Sequence, residues 1–143
     1  MKIGLLIPST SKGRDWKTYK SSYLYINTIK TFIITYNKEH NYTFYIGIDR
    51  NDHIYDNEST KNDLIKLCSV MKNISIEFIY MDGINKGHLT VMWNRLFKKA
   101  YNDNCDYFFQ CGDDIEFKTK NWVNDSISTL IESNNFGLTG PIN

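Results

Sequence analysis

Four short apolar runs, separated by stretches of helical periodicity, constrain the fold of this chain more than any other feature. Lys2–Ile7, Tyr42–Ile48, Ile74–Tyr80 and Asp106–Gln110 are rich in β-branched and aromatic residues and read as strands. Between them, apolar residues recur at helical spacing. The predicted helices are Trp16–Tyr36, with Tyr23, Ile26, Ile29 and Ile33 inward, and Thr60–Met71, with Leu64, Ile65, Leu67 and Cys68 inward. Two more are Leu89–Tyr101, with Val91, Met92, Leu96 and Ala100 spaced for packing, and Lys120–Glu132. A further strand is predicted to start at Phe136–Thr139 and to stop at Gly140-Pro141. Strands that alternate with helices imply βαβ units. The expected class is α/β: a mostly parallel, Rossmann-like sheet with helices on both faces. The 143 residues suit one domain with one core.

Bulk properties narrow the function. The net charge of +1 supplies no basic field, which argues against a nucleic-acid surface. The three cysteines, Cys68, Cys105 and Cys111, are odd in number and lack CxxC spacing, so a disulfide framework or zinc cluster is not expected. The run before Pro8 is too short for a secretory signal core, and no apolar stretch approaches a membrane span. A reducing, cytoplasmic setting is the expectation.

In parallel α/β sheets ligands bind beyond the carboxyl ends of the strands. Polar residues follow the strand ends here at Ser9-Thr10, Asp49, Asp82 and Asp113-Asp114. The stretch FFQCGDDIEF, Phe108 to Phe117, draws most attention, because adjacent carboxylates repel. Either they lie in open water, or they hold a cation. Mg²⁺ or Mn²⁺ takes one or two carboxylates from protein and fills its remaining positions with water and phosphate oxygens. Gly112 gives the backbone freedom beside them. Asp114 and Glu116 form an alternative acid pair, less favoured because Asp113 and Asp114 stand nearer the strand end. The segment NKGHLTVMWNRLFKKAY offers Lys86 as a charge for phosphate, Gly87 before a helix start, and His88 as either an acid–base group or a packing residue. One of Asn94 and Arg95 can face the crevice. Pro8, Ser9 and Thr10 present groups suited to a flat base edge, and Asp49 can accept from a base N–H. His40 and His53 read as surface residues, and Trp16, Trp93 and Trp122 as packing anchors.

The strand ending in IPST, the strand ending in IGID, the NKGHLTVMWNRLF segment and the strand–CGDDIEF junction together resemble the GT-A fold of nucleotide-sugar-dependent glycosyltransferases, in the style of the family-2 enzymes. Asn85, Gly87 and Asn94 look similar to that family's asparagine–glycine stretch and helix asparagine. Gly112, Asp113 and Asp114 stand where its DxD motif would be, with glycine in the first place. The resemblance implies a metal-dependent transfer of a sugar from a nucleoside-diphosphate sugar, UDP favoured and GDP possible, to a glycan or other hydroxyl acceptor. Asp114 would be the main Mn²⁺ or Mg²⁺ ligand, with Asp113 sharing the metal or holding the ribose. Pro8, Ser9, Thr10 and Asp49 would hold the base, and Lys86, Asn94 and Arg95 would lie near the nucleotide. No residue is assigned the base that activates the acceptor. The resemblance also implies an acceptor-binding part beyond Asn143, so residues 1–143 would form the nucleotide-sugar-binding domain. The rival readings are a non-catalytic nucleotide-sugar-binding module and a sugar nucleotidyltransferase. A phosphate loop of Walker type, which would favour a different phosphate chemistry, is not found in the sequence.

Overall fold

All four main strands form, and all pair in parallel. In the computed structural model, which describes residues 1–141, β1 is Lys2–Pro8, β2 Asn41–Ile48, β3 Ile74–Tyr80 and β4 Tyr107–Gln110. Their order is β3-β2-β1-β4. Register runs from Lys2 opposite Asn41 to Pro8 opposite Gly47, from Tyr42 opposite Ile74 to Ile48 opposite Tyr80, and from Ile3 opposite Tyr107 to Leu6 opposite Gln110. The helices are α1 (Lys30–Thr35), α2 (Glu58–Ser69), α3 (Leu89–Asn102) and α4 (Trp122–Glu132).

The two-residue period of the strands sorts the core into two layers. Ile3, Leu5 and Ile7 of β1 share one face with Tyr42, Phe44, Ile46 and Ile48 of β2. Phe32 of α1, Leu64 and Cys68 of α2, and Val123 and Ile127 of α4 cover that face. Phe32 meets Tyr42, Phe44 and Phe117 edge to face, with centroids 5.0, 5.0 and 5.5 Å apart. On the other face Leu6 and Tyr45 pack under Leu96 and Ala100 of α3. That helix comes close because the sheet is bare beneath it: a Cβ on Gly4 would lie 3.1 Å from the Ala100 Cβ. Helices therefore cover both faces, as right-handed crossovers require when the chain reverses direction across the sheet.

Three local departures from the expected elements have identifiable causes. The first helix does not begin at Trp16. A 3₁₀ turn at Tyr19–Ser21 comes first, then a π-wound segment, Leu24–Ile29, that runs directly into α1. The Lys30 N–H reaches back to the Tyr25 carbonyl, five residues away. This wider winding rotates the inward face, so Leu24, Thr28 and Ile29 are buried while Tyr23 and Ile26 are exposed. Helix α2 starts earlier than expected because the Asn57 side chain accepts hydrogen bonds from the Ser59 and Thr60 N–H groups at 2.9 and 3.2 Å. Helix α4 starts at Trp122 rather than Lys120, since Asn121 is left-handed at φ 66°.

The strand expected at Phe136–Thr139 does not form. Positive φ at Asn134, Asn135 and Gly137 breaks the extended backbone, and Phe136 and Leu138 are exposed.

Candidate functional site

The chain fills the sheet from β1 outward through β2 to β3, then returns to place β4 on the other side of β1. The loops after β1 (Ser9–Arg14) and β4 (Cys111–Ile115) follow neighbouring strands and meet at the carboxyl edge of the sheet, and the crevice at such an edge is where parallel α/β sheets bind ligands.

Ser9 and Asp113 meet across this crevice. The Ser9 Oγ donates to Asp113 Oδ2 at 2.7 Å, and Ser9 itself is buried. Burial is the main force raising the Asp113 pKa above the ordinary carboxylate range; the Ser9 hydrogen bond opposes it, the Asp114 charge reinforces it, and Arg14 opposes it. Asp114 is exposed beside it. Neither acid caps a following helix, because α4 lies further along the chain. Gly112 has a steric role here: a Cβ at that position would lie 2.7 Å from Asp114 Oδ1. Glu116 points to another task, an exposed ion pair with Lys118 at 3.2 Å. The thiol of Cys111, directly before this turn, is pushed up to about 12 by burial and then by the two acids, so it stays protonated at neutral pH.

The acidic loop is held in place by side chains from the π-wound segment and the start of α1. Thr28 Oγ1 donates to the carbonyls of Asp113 and Ile115 at 2.8 and 3.2 Å, and Asn27 Nδ2 to that of Asp114 at 3.3 Å. The Phe117 N–H donates to Thr31 Oγ1 at 2.9 Å. In sequence these are ordinary polar residues of an amphipathic helix. Their contacts span 85 or more positions and leave no local signal.

A second cluster, which the sequence reading did not single out, centres on Asp52. This carboxylate is 1% exposed. It accepts from the Ser11 N–H at 2.7 Å, the Ser11 Oγ at 2.5 Å, and the Ile54 and Tyr55 N–H groups at 3.0 and 2.9 Å. Burial pushes its pKa up, but these donors outweigh burial and hold it below the ordinary value. Asp52 thereby ties the loop after β1 to the loop after β2. Thr10 and Asp49, both expected in the site, join the same junction: Thr10 Oγ1 donates to Asp49 Oδ2 at 3.0 Å, and Lys12 Nζ stands 3.3 Å from that oxygen.

The β3–α3 connection is a separate group. Arg95 Nη1 donates to the carbonyls of Tyr80 and Asp82 at 3.0 and 2.8 Å, so it braces the end of β3. Arg50 forks onto Asp82, with Nη2 2.5 Å from Oδ2, and lies 4.0 Å over the Tyr80 ring. Lys86 and Asn94 are exposed, and His88 precedes α3 without a side-chain cap. Of the expected residues, then, Ser9 with Asp113 and Thr10 with Asp49 are directly joined, Pro8 ends β1 beside them, and Asp114 flanks them. No hydrogen bond among the described residues links Lys86, Asn94 or Arg95 to those pairs.

A cavity of 1110 Å³ runs instead along the outer edge of β4, lined by Phe97, Phe108, Trp122 and Leu138 among others, and includes neither Ser9 nor Asp113. Its lining is mostly apolar, but it includes Gln110, Ile115 and Glu116 of the acidic stretch and the charged side chains of Asp106, Lys118 and Asp125. Among the described residues no group of three or more His, Cys, Asp or Glu is arranged to hold a metal ion, and no helix is long and apolar enough to cross a membrane.

Comparison with models of protein families, with curated proteins and with solved structures returned no match. The α/β fold and the geometry of the crevice therefore carry the functional reading.

Proposed function

We propose that the crevice between β1 and β4 binds a nucleoside-diphosphate sugar, a UDP-sugar before a GDP-sugar, together with Mn²⁺ or Mg²⁺, and that the chain transfers the sugar to a hydroxyl acceptor. The observation that supports this reading most is the Ser9–Asp113 bond at the point where the strand order reverses, with the Asp114 carboxylate open beside it.

The donor set suits a hard cation that takes only one or two protein carboxylates. Gly112 leaves room for the Asp114 carboxylate, and Asp113 is anchored by one oxygen to Ser9. Once bound, the ion would supply positive charge against the leaving nucleoside diphosphate.

The remaining roles fall to the chain's own groups. Ser9, with Thr28 behind the loop, fixes Asp113 in place. Thr10 and Asp49 offer a hydroxyl and a carboxylate for the edge of a base, and the tie through Asp52 keeps their loops together. Lys86 and Asn94 reach solvent from the β3–α3 connection as candidates for the phosphates. The thiol of Cys111 stays neutral and takes no nucleophilic part.

Incubation with UDP-hexoses and Mn²⁺, followed by chromatography, tests the proposal. The expected result is metal-dependent release of UDP. Binding without release favours a nucleotide-sugar-binding module. Consumption of a nucleoside triphosphate with a sugar phosphate favours a nucleotidyltransferase.

A further inference from the structure

We propose that Arg14 is the side chain that receives the diphosphate of a nucleotide bound at the crevice; the inference rests on the reading that the crevice takes a nucleoside diphosphate with a divalent ion. Arg14 ends the loop after β1, and its backbone N–H closes a turn onto the Ser11 carbonyl at 3.0 Å. Its guanidinium carbon lies 5.5 Å from the centre of the Trp16 ring and 5.1 Å from that of Tyr23. The two rings meet edge to face, with centroids 5.3 Å apart. Among the described residues the guanidinium makes no hydrogen bond and no ion pair.

A guanidinium over aromatic rings is held by its face, while its N–H groups stay in its own plane. The rings therefore hold the cation without using its donors, and those donors form a fork that suits phosphate oxygens. Other cations of the neighbouring loops are already engaged. Lys12 Nζ lies 3.3 Å from Asp49, Arg50 forks onto Asp82, and Arg95 braces the end of β3.

The fold brings Arg14 to the acids from two directions. Ser9, in the same loop, bonds Asp113 at 2.7 Å. Tyr23 stands at the start of the π-wound segment, four residues before Asn27, so the two share a side of it. Asn27 Nδ2 reaches the Asp114 carbonyl at 3.3 Å. Arg14 thus flanks the acidic loop, yet among the described residues it forms no ion pair with either acid. A divalent ion offsets the two carboxylates, and a diphosphate then brings negative charge that a further cation must balance. Before the nucleotide arrives, Arg14 and the ion repel each other. The same arginine therefore disfavours the ion alone and favours the ion with its diphosphate.

The test is calorimetric titration of Mn²⁺ alone, and of UDP in Mn²⁺, into wild type, Arg14→Gln and Arg14→Lys, with melting temperatures recorded in parallel. The proposal predicts that Arg14→Gln binds UDP about tenfold or more weakly, the scale of a lost hydrogen bond to a charged group. It predicts that Arg14→Gln binds Mn²⁺ alone as well as wild type or better, and that its melting temperature stays near that of wild type. Arg14→Lys keeps the charge without the fork and should recover part of the UDP affinity. Wild-type UDP affinity in Arg14→Gln overturns the proposal. So does an equal loss for Mn²⁺ alone and for UDP, which would mark a role in shaping the acidic loop. If wild type binds no UDP with Mn²⁺, the reading of the crevice falls and the role of Arg14 falls with it. Wild-type binding that Arg14→Gln leaves intact removes the role of Arg14 alone.

Discussion

Ser9 and Asp113, 104 positions apart, are joined by a 2.7 Å hydrogen bond that bridges the ends of β1 and β4. The bond holds a carboxylate that burial and a neighbouring acid both disfavour in its charged form. Ser9→Ala removes the hydroxyl donor and leaves that carboxylate less well paired. Urea unfolding should show a loss of about 2 kcal/mol, the scale of a hydrogen bond to a charged group.

Gly112→Ala separates the site from the fold. The added methyl meets the end of a flexible side chain, Asp114 Oδ1 at 2.7 Å, rather than backbone. The carboxylate swings away at little cost to stability. The melting temperature should stay near that of wild type while Mn²⁺-dependent UDP binding falls about tenfold or more. Thermal shift with and without Mn²⁺ and UDP reads both quantities in one assay.

Thr28→Val keeps the shape of a buried side chain and removes its hydroxyl. Two carbonyls of the acidic loop, those of Asp113 and Ile115, lose their donor. The expected loss is about 1–2 kcal/mol of stability, with faster amide exchange confined to the loop after β4.

Asp52 predicts a pH dependence. Its folded pKa lies below the ordinary value, so its stabilisation is fully present above the unfolded carboxylate pKa of about 4 and is lost as pH falls through the folded pKa. Asp52→Asn should lower stability at neutral pH by about 2–3 kcal/mol, because Ser11, Ile54 and Tyr55 lose a charged acceptor. The gap between wild type and variant should narrow as the solution is acidified below about pH 4. Chemical unfolding across that range measures it.

What could be read in the sequence follows physical range. The strands were legible because β-branched and aromatic runs bounded by polar residues need only local pattern, as in Tyr42–Ile48. The position of Asp113 and Asp114 just past a strand end was legible because the aromatic run before them marks β4, which ends at Gln110. The π winding of Leu24–Ile29 was not, since a helical period of 3.6 places Tyr23 and Ile26 inward and one wider turn moves them out. Asp52 looked like another acid in a polar loop; its burial depends on Ser11, 41 positions earlier. Thr28 and Asn27 likewise act only on a loop 85 or more positions away. Phe136–Thr139 has strand-like composition, but the left-handed residues before it and Gly137 within it override that preference.

The central claim is that Asp113 and Asp114 together hold a divalent ion that a nucleoside diphosphate shares. Calorimetric titration of UDP, with and without Mn²⁺, into wild type and Asp114→Ala tests it most directly. The account predicts Mn²⁺-dependent binding to wild type and a loss of about tenfold or more in Asp114→Ala. Equal affinity in the two proteins, or binding indifferent to Mn²⁺, would contradict it.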